Sequence, residues 1–354
     1  MSSLLHRRRG LAVLLPLLPA LALGLGMVPV TGGTSFGVGQ ASHAGMSTGP
    51  TADPPSPIVV RPTQLPRGPA SKVRWLYDNV VHTGSGRTVK MPWTSEGARA
   101  HSLRLLGRTA DGWLVKSHGG YTWTLWAIRD GKRHPITSTS VTEGEVVNYR
   151  LSRDHQRFLV QLYDGDRSTS IYVRDLNNAL VDVQDFALVP AVLAFSGSEL
   201  IVNVRDTQHW DVDAQSVDPL GVDAAGADIG HGLLFVTDPA TGESGPTSLE
   251  SPGTPTWTAE MTQVGVSPGG GRVLSRDTRG EHLLTVYNRL TGEVRVSFSV
   301  RFLASEAPIW ESNRSFVFIA AVNESETLVR CRINGSCQRI SAIRPRDTIS
   351  LPPL

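Results

Sequence analysis

Lysine is scarce in this chain. Of 34 basic residues only Lys72, Lys90, Lys116 and Lys132 are lysines, the usage of a GC-rich bacterial coding sequence. The basic residues almost balance 32 acidic ones and are nowhere gathered into a dense face, which argues against nucleic acid as a partner. Sustained 3.6-residue periodicity is absent as well; Glu96 to Leu105 comes nearest and is too short to make a helical layer. Only two cysteines occur, Cys331 and Cys337, with no His or third Cys beside them, so a zinc site is not expected. What is present is 354 residues, 40% of them apolar, enough for two or three ordinary domains or one large repeat array.

Residues 1–30 read as an export signal. Arg7-Arg8-Arg9 supply the positive start, Leu11 to Val30 the apolar run, and Ala20-Leu21-Ala22 or Ser42-His43-Ala44 a small-x-small cleavage site. An uncleaved membrane anchor is the alternative, weakened by Pro16, Pro19 and Pro29. The paired arginines leave Sec and twin-arginine export both open, and no Cys follows the run to take a bacterial lipid. Residues 31–71 are rich in Gly, Ser, Thr and Pro and are expected to form a solvated linker, with a short strand possible at Ile58-Val59-Val60.

From Lys72 onward strand signals dominate, and they repeat. A turn followed by an apolar strand recurs at Thr109-Ala-Asp-Gly-Trp-Leu-Val, Ser152-Arg-Asp-His-Gln-Arg-Phe-Leu-Val, Phe195-Ser-Gly-Ser-Glu-Leu-Ile-Val, Gly230-His-Gly-Leu-Leu-Phe-Val, Ser267-Pro-Gly-Gly-Gly-Arg-Val-Leu and Trp310-Glu-Ser-Asn-Arg-Ser-Phe-Val-Phe. The strand-opening residues Trp113, Phe158, Leu200, Leu234, Val273 and Phe316 fall at intervals of 45, 42, 34, 39 and 43. A period near 40 with four strand-sized segments per unit is the pattern of a propeller blade. Arg74-Trp-Leu-Tyr-Asp with Thr83-Gly-Ser-Gly-Arg-Thr-Val looks like a unit without its first half, which Ile349-Ser350-Leu351 would complete by closing the ring. The expectation is therefore an all-β propeller of four-stranded antiparallel blades over residues 72–354. Seven blades are favoured, or six if the Pro/Gly-interrupted stretch 213–260 merges with its neighbours.

Ser267-Pro268-Gly269-Gly270, Thr291-Gly292-Glu293 and Thr241-Gly242-Glu243 resemble the turn motifs of extracytoplasmic TolB-type and WD-like propeller repeats. The resemblance covers about residues 72–345. The Asp usual in the first turn is replaced, and the Gly-His…Trp-Asp signature of eukaryotic WD repeats is missing. It supports the architecture and implies little about activity.

If Ile333-Asn334-Gly335 form a three-residue loop, Arg332 pairs with Ser336 and Cys331 falls opposite Cys337, in a register where a disulfide fits. A two-residue Asn-Gly turn would instead set Cys331 opposite Gln338 and leave two thiols. Export to an oxidising space favours the disulfide.

Three stretches invite a chemical reading. Gly265-Val-Ser267-Pro-Gly269 matches the nucleophile-elbow pattern, but Pro268 has no N–H for an oxyanion and a strand follows instead of a helix. Residues 206–228 hold Asp206, Asp211, Asp213, Asp218, Asp223 and Asp228 near His209 and His231. Asp211-Val-Asp213 opens like a calcium loop but lacks its Gly and Glu, so calcium is a minor alternative to no cofactor. Ser152-Arg-Asp154-His faintly resembles the Asp-box turn of sialidase-like propellers, without its Gly and Trp.

The loops between second and third strands offer the candidate binding face: His118 and Tyr121; Asp164 and Asp166; Arg205, Asp206 and His209; Asp277, Arg279 and His282; Asn323 and Glu324. Such loops share one face of a propeller with the blade-to-blade connections and bind more often than they catalyse. Scattered Trp residues are expected in the blade core. Asn313, Asn323 and Asn334 lie in N-x-Ser sequons. The expected protein is an exported, non-enzymatic module at the cell surface or beyond, binding a protein or envelope ligand. The alternative is a secreted propeller hydrolase acting on carbohydrate.

Overall fold

In the computed structural model the described residues are 55–354, without 141–145, 164–167, 278–281, 302, 304–305 and 354. They form seven antiparallel sheets arranged as a ring, a seven-bladed β-propeller. Blades 1 to 6 span residues 104–140, 146–186, 191–219, 224–259, 263–300 and 309–339. Blade 7 takes Trp75–Tyr77, Val80–His82 and Thr88–Lys90 from one end of the propeller segment and Ile349–Ser350 from the other, with Leu76 opposite Ser350. The expected closure is thus the observed one.

Each of the six strand-opening residues is the second residue of its blade's second strand, and all six are buried. The reason lies in how the blades stack. Seven apolar clusters are present among the described residues, and each joins two adjacent blades. Alternate residues of a second strand serve opposite clusters. Phe158 and Val160 pack toward blade 1 and Leu159 toward blade 3. Phe316 and Phe318 pack toward blade 5, Val317 and Ile319 toward blade 7. A strand buried on both faces reads as an uninterrupted apolar run.

The interrupted stretch 213–260 makes a blade of its own with three strands, Ala224–Asp228, Leu233–Thr237 and Ser244–Ser248. Pro252 and Pro255 lie where a fourth strand would run, and only an isolated bridge from Ser244 to Ala259 takes its place. Short connections recur with one local device. An Asp or Asn oxygen accepts from a backbone N–H two residues on at four third-to-fourth-strand hairpins, Asp175 from Asn177, Asp211 from Asp213, Asn288 from Leu290 and Asn334 from Ser336, and at the second-to-third-strand hairpin of blade 4, Asp238 from Ala240.

The segment expected as a solvated linker departs from that expectation over residues 58–71. Ile58–Val60 is a strand, as the sequence allowed, but it adds in parallel to Phe298–Val300 on the outer edge of blade 5. Farther on, Arg330 donates to the carbonyls of Pro69 and Ala70 and, through Nη2, to Glu311 Oε1 at 2.7 Å. The same carboxylate accepts from the Ser71 hydroxyl and the Lys72 N–H, at 3.0 and 2.6 Å. Prolines exclude long helix here but do not prevent this extended chain from being held by a buried ion pair.

Cys331 and Cys337 form a disulfide with Cα atoms 4.2 Å apart. The loop is the three-residue form: Arg332 N–H donates to Ser336 O, and Gly335 takes a positive φ of 89°. Cys337 and Ile333 pack into the blade 5–6 cluster beside Leu65 and Val60, so the hairpin and the N-terminal segment share one core.

Two outcomes follow. Burial raises the pKa of Glu311, but the Arg330 guanidinium, the Lys72 N–H and the Ser71 hydroxyl outweigh it and hold the carboxyl below its ordinary value. The stability it contributes is therefore present above the ordinary carboxylate range and lost as pH falls through the lowered folded value. Arg330→Met strands a buried carboxylate and should cost about 3 kcal/mol, read as a lowered urea midpoint at pH 7. An unchanged midpoint would remove this account of the segment. The native protein should also yield no alkylatable thiol, and reduction should cost about 2 kcal/mol for so small a loop.

Candidate functional site at the mouth of the central channel

First strands of neighbouring blades face one another around the ring axis and enclose a channel. Ala191 pairs with Asn203 and Gln263 with Arg276, so the starts of first strands lie beside the ends of second strands. The loops between second and third strands therefore rise at this end.

The mouth here is a cavity of about 690 Å³ whose polar lining includes Arg104, Lys116, Asn148, Tyr149, Arg150, Thr262 and Glu306. Blades 3 and 4 contribute Ala191, Val192, Leu193, Ala225 and Gly226, none of them with a polar side chain. Its charge is lopsided, with three cations against one carboxylate among the described lining residues. Arg104 Nη1 lies 3.4 Å from Glu306 Oε1 and also donates to Ile349 O at 3.2 Å. Lys116 sits with its ammonium 5.3 Å from the Trp123 ring centroid. Burial, then the charge of Arg104, draw the Lys116 ammonium down to about 8 despite the opposing pull of Glu306. Arg150 donates to Val192 O at 2.6 Å; burial lowers it to about 10, and it stays charged at neutral pH.

The other end of the channel opens into a cavity of about 400 Å³ lined by Arg74, Arg108, Arg150, Arg153, His155, Asp228 and Trp310, among others. Asp228 is engaged by Arg153 at 2.8 Å and by His231 Nδ1 at 3.0 Å. Pro352 and Pro353 line both cavities, so the chain after the closing strand lies within the channel.

The residues expected on the binding face are placed outside this mouth. Tyr121 is exposed at a hairpin tip, and His118 stacks on Trp123 with ring centroids 4.2 Å apart. Arg205 and Asp206 are exposed in the turn of blade 3. His209 is not in a loop: the third strand already starts at Thr207, and His209 stands opposite Ile201, its Nε2 3.3 Å from Glu199 Oε1. Asp277 follows the second strand of blade 5, its N–H donating to Leu283 O. His282 and Asn323 come together in a crevice of about 610 Å³ beneath residues 59–64. Glu324, exposed, accepts from Arg346 N–H through its carbonyl. Asp164, Asp166 and Arg279 lie outside the described residues.

Loop composition did not point to the residues that line the mouth. A signal was present: Arg104 before Leu105-Leu106 and Arg150 between Tyr149 and Leu151 each set a charge into an apolar first strand. A lone charge in a strand facing a core calls for a wet or paired environment, here the channel.

Ser267 is an ordinary blade corner. Its hydroxyl accepts from Arg272 N–H at 3.1 Å and its carbonyl from Gly270 N–H, and Ser152 makes the same hydroxyl contact with Arg157 N–H. Among the described residues no group of three or more His, Cys, Asp or Glu is placed to hold a metal, and Asp211 spends an oxygen on its own hairpin.

The class these observations define is a seven-bladed propeller with a polar, net-basic channel mouth. No protein-family model matches the chain, and no curated protein does. Among solved structures it is similar to a chain of the mitotic checkpoint complex, 13% identical over 69% of this chain and 80% of that one, with a TM-score of 0.52. It is similar as well to a functionally unknown protein from Desulfotomaculum acetoxidans, 10% identical over 79% and 99%, TM-score 0.50. TolB from Acinetobacter baumannii is more distant, 10% identical over 71% and 66%, TM-score 0.44. At these identities the likeness is one of fold.

Replacing Ser267 by Ala should cost about 1 kcal/mol through the lost turn hydrogen bond. Neither the native protein nor Ser267→Ala should be labelled by a fluorophosphonate probe; labelling of Ser267 would restore the elbow reading.

Proposed function

We propose that this protein is an exported, non-enzymatic binding module whose partner, a protein or an envelope ligand, docks on the face that carries the channel mouth. The observation that supports this reading most is the mouth itself, a cavity of about 690 Å³ with a polar lining from several blades. Among its described lining residues the one carboxylate is Glu306, already facing Arg104, whereas carbohydrate hydrolysis needs two carboxyl groups across the scissile bond. Export is supported by the apolar start of the sequence and by the Cys331–Cys337 disulfide, a bond that persists in oxidising compartments. Among the described residues no helix is long and apolar enough to cross a membrane.

The test is a photo-crosslinking residue placed at Tyr121 or Arg205 on the mouth face, and at Leu290 in a hairpin on the opposite face as control. In the organism that carries the gene, with the protein located by fractionation, a discrete adduct should form outside the cytoplasm from the first two positions and not from Leu290. Adducts from all three alike, a cytoplasmic location, or turnover of an oligosaccharide by the purified protein would each overturn the reading.

A further inference from the structure

We propose that a small cavity between blades 6 and 7 is a binding site for a small oxyanion, held between the guanidinium groups of Arg67 and Arg344. The site is separate from the channel mouth and stands whether or not a partner docks there.

Three pieces of chain build it. The segment before blade 7 supplies Arg67, Ala70 and Ser71; the second and third strands of blade 7 supply Trp75 and His82; the chain leaving the outer strand of blade 6 supplies Ile340, Ser341 and Arg344. Backbone contacts place the two arginines. Arg67 lies opposite Arg339, and the next residue, Gly68, donates its N–H to Arg339 O at 2.9 Å. Arg344 is fixed by antiparallel pairing with Glu326. The arginines are thus brought to one cavity by the strands that carry them, with no acid between them to draw them there.

The charge in this cavity is one-sided. Among the described lining residues there is no Asp or Glu. Arg344 has its guanidinium carbon 4.3 Å from the Tyr77 ring centroid, and its buried Nε lacks a hydrogen-bond partner among the described residues. A buried charged donor without an acceptor is costly, and an oxyanion is the acceptor that would offset it. His82 stacks on Trp75 with ring centroids 3.8 Å apart and brings a further nitrogen donor. Burial, then the charge of Arg344, lower the His82 pKa, so positive charge already reaches across the cavity. The hydroxyls of the lining are committed elsewhere: Ser71 donates to Glu311, Thr83 to Arg87 O and Ser341 to Ala342 O. A ligand would therefore meet the nitrogen donors of Arg67, Arg344 and His82.

Size restricts the ligand. The cavity is about 210 Å³, below the roughly 300 Å³ at which pockets for drug-sized molecules begin. Part of its wall is apolar, with Trp75 and Ile340 both buried. Sulfate, phosphate and a carboxylate on a short apolar stem share the chemistry that would be recognised.

The test is isothermal titration calorimetry on the full chain with sodium sulfate, sodium phosphate and sodium propionate, sodium chloride holding the ionic strength constant. At least one of the three should saturate a single site and slow tryptic cleavage after Arg67. Arg344→Gln and Arg67→Gln should each weaken that binding at least about tenfold. Arg67 is exposed, so its variant decides the matter if Arg344→Gln fails to fold. Arg295→Gln, which removes only an exposed ion pair with Glu293 on blade 5, should leave binding unchanged. Saturation by sulfate or phosphate alone assigns a tetrahedral anion; saturation by propionate alone assigns a carboxylate with its stem against Trp75 and Ile340. No saturable site for any of the three, binding undiminished in Arg67→Gln, or equal loss in Arg295→Gln would overturn the proposal.

Discussion

The rest of the fold depends on the two-sided burial of each blade's second strand. Phe158 and Leu159 are adjacent in sequence and belong to different cores, as are Leu233 and Leu234 or Phe316 and Val317. No blade can satisfy such a strand alone, because one of its faces would remain in water. Stacking blades in a line would leave two terminal faces bare, and closing the line into a ring removes both. Ile349–Ser350 completes blade 7 for this reason. The carboxylate of Glu326, itself buried, accepts from the Thr348 and Ile349 N–H groups and ties that strand to blade 6.

Ring closure has a second consequence. The strands nearest the axis have a neighbour on each side and a channel in front, so residues that would be costly in a closed core can be placed there. Arg104 and Arg150 are such residues, one contacting Ile349 and the other Val192 across blade boundaries. They hold neighbouring first strands together through these backbone contacts. At the outer wall the Glu311–Arg330 pair and the Cys331–Cys337 hairpin play a comparable role for residues 58–72, which brace blades 5 and 6. An outer strand lacks the double core of an inner one, and these extra fastenings offset that.

Much of the architecture was legible from periodicity. The interval near forty, the orphan half-unit at Arg74 and the closing strand at Ile349 all came from spacing and proved to be blade geometry. The register of Cys331 opposite Cys337 was one of two that the sequence allowed, and the three-residue loop is the one the structure takes. Less legible was the stretch before Lys72, where composition speaks of a linker. Its fixation depends on Glu311 and Arg330, nearly 240 or more residues away in sequence and invisible to any local pattern.

What the sequence by itself determined was the repeat. Apolar second strands and Asx- or Gly-bearing turns are local physics, and they specify a blade wherever they occur. Only the tertiary structure decided the site. The exposed loop residues drew attention because they are polar, yet the mouth is built from charges inside apolar strands. Their meaning depends on which strand faces the axis. Closure of the ring brings Arg104, Lys116, Arg150 and Glu306 into one cavity, although they come from two blades and the connection before blade 6. No spacing in the chain encodes that meeting, because it is a property of the closed ring.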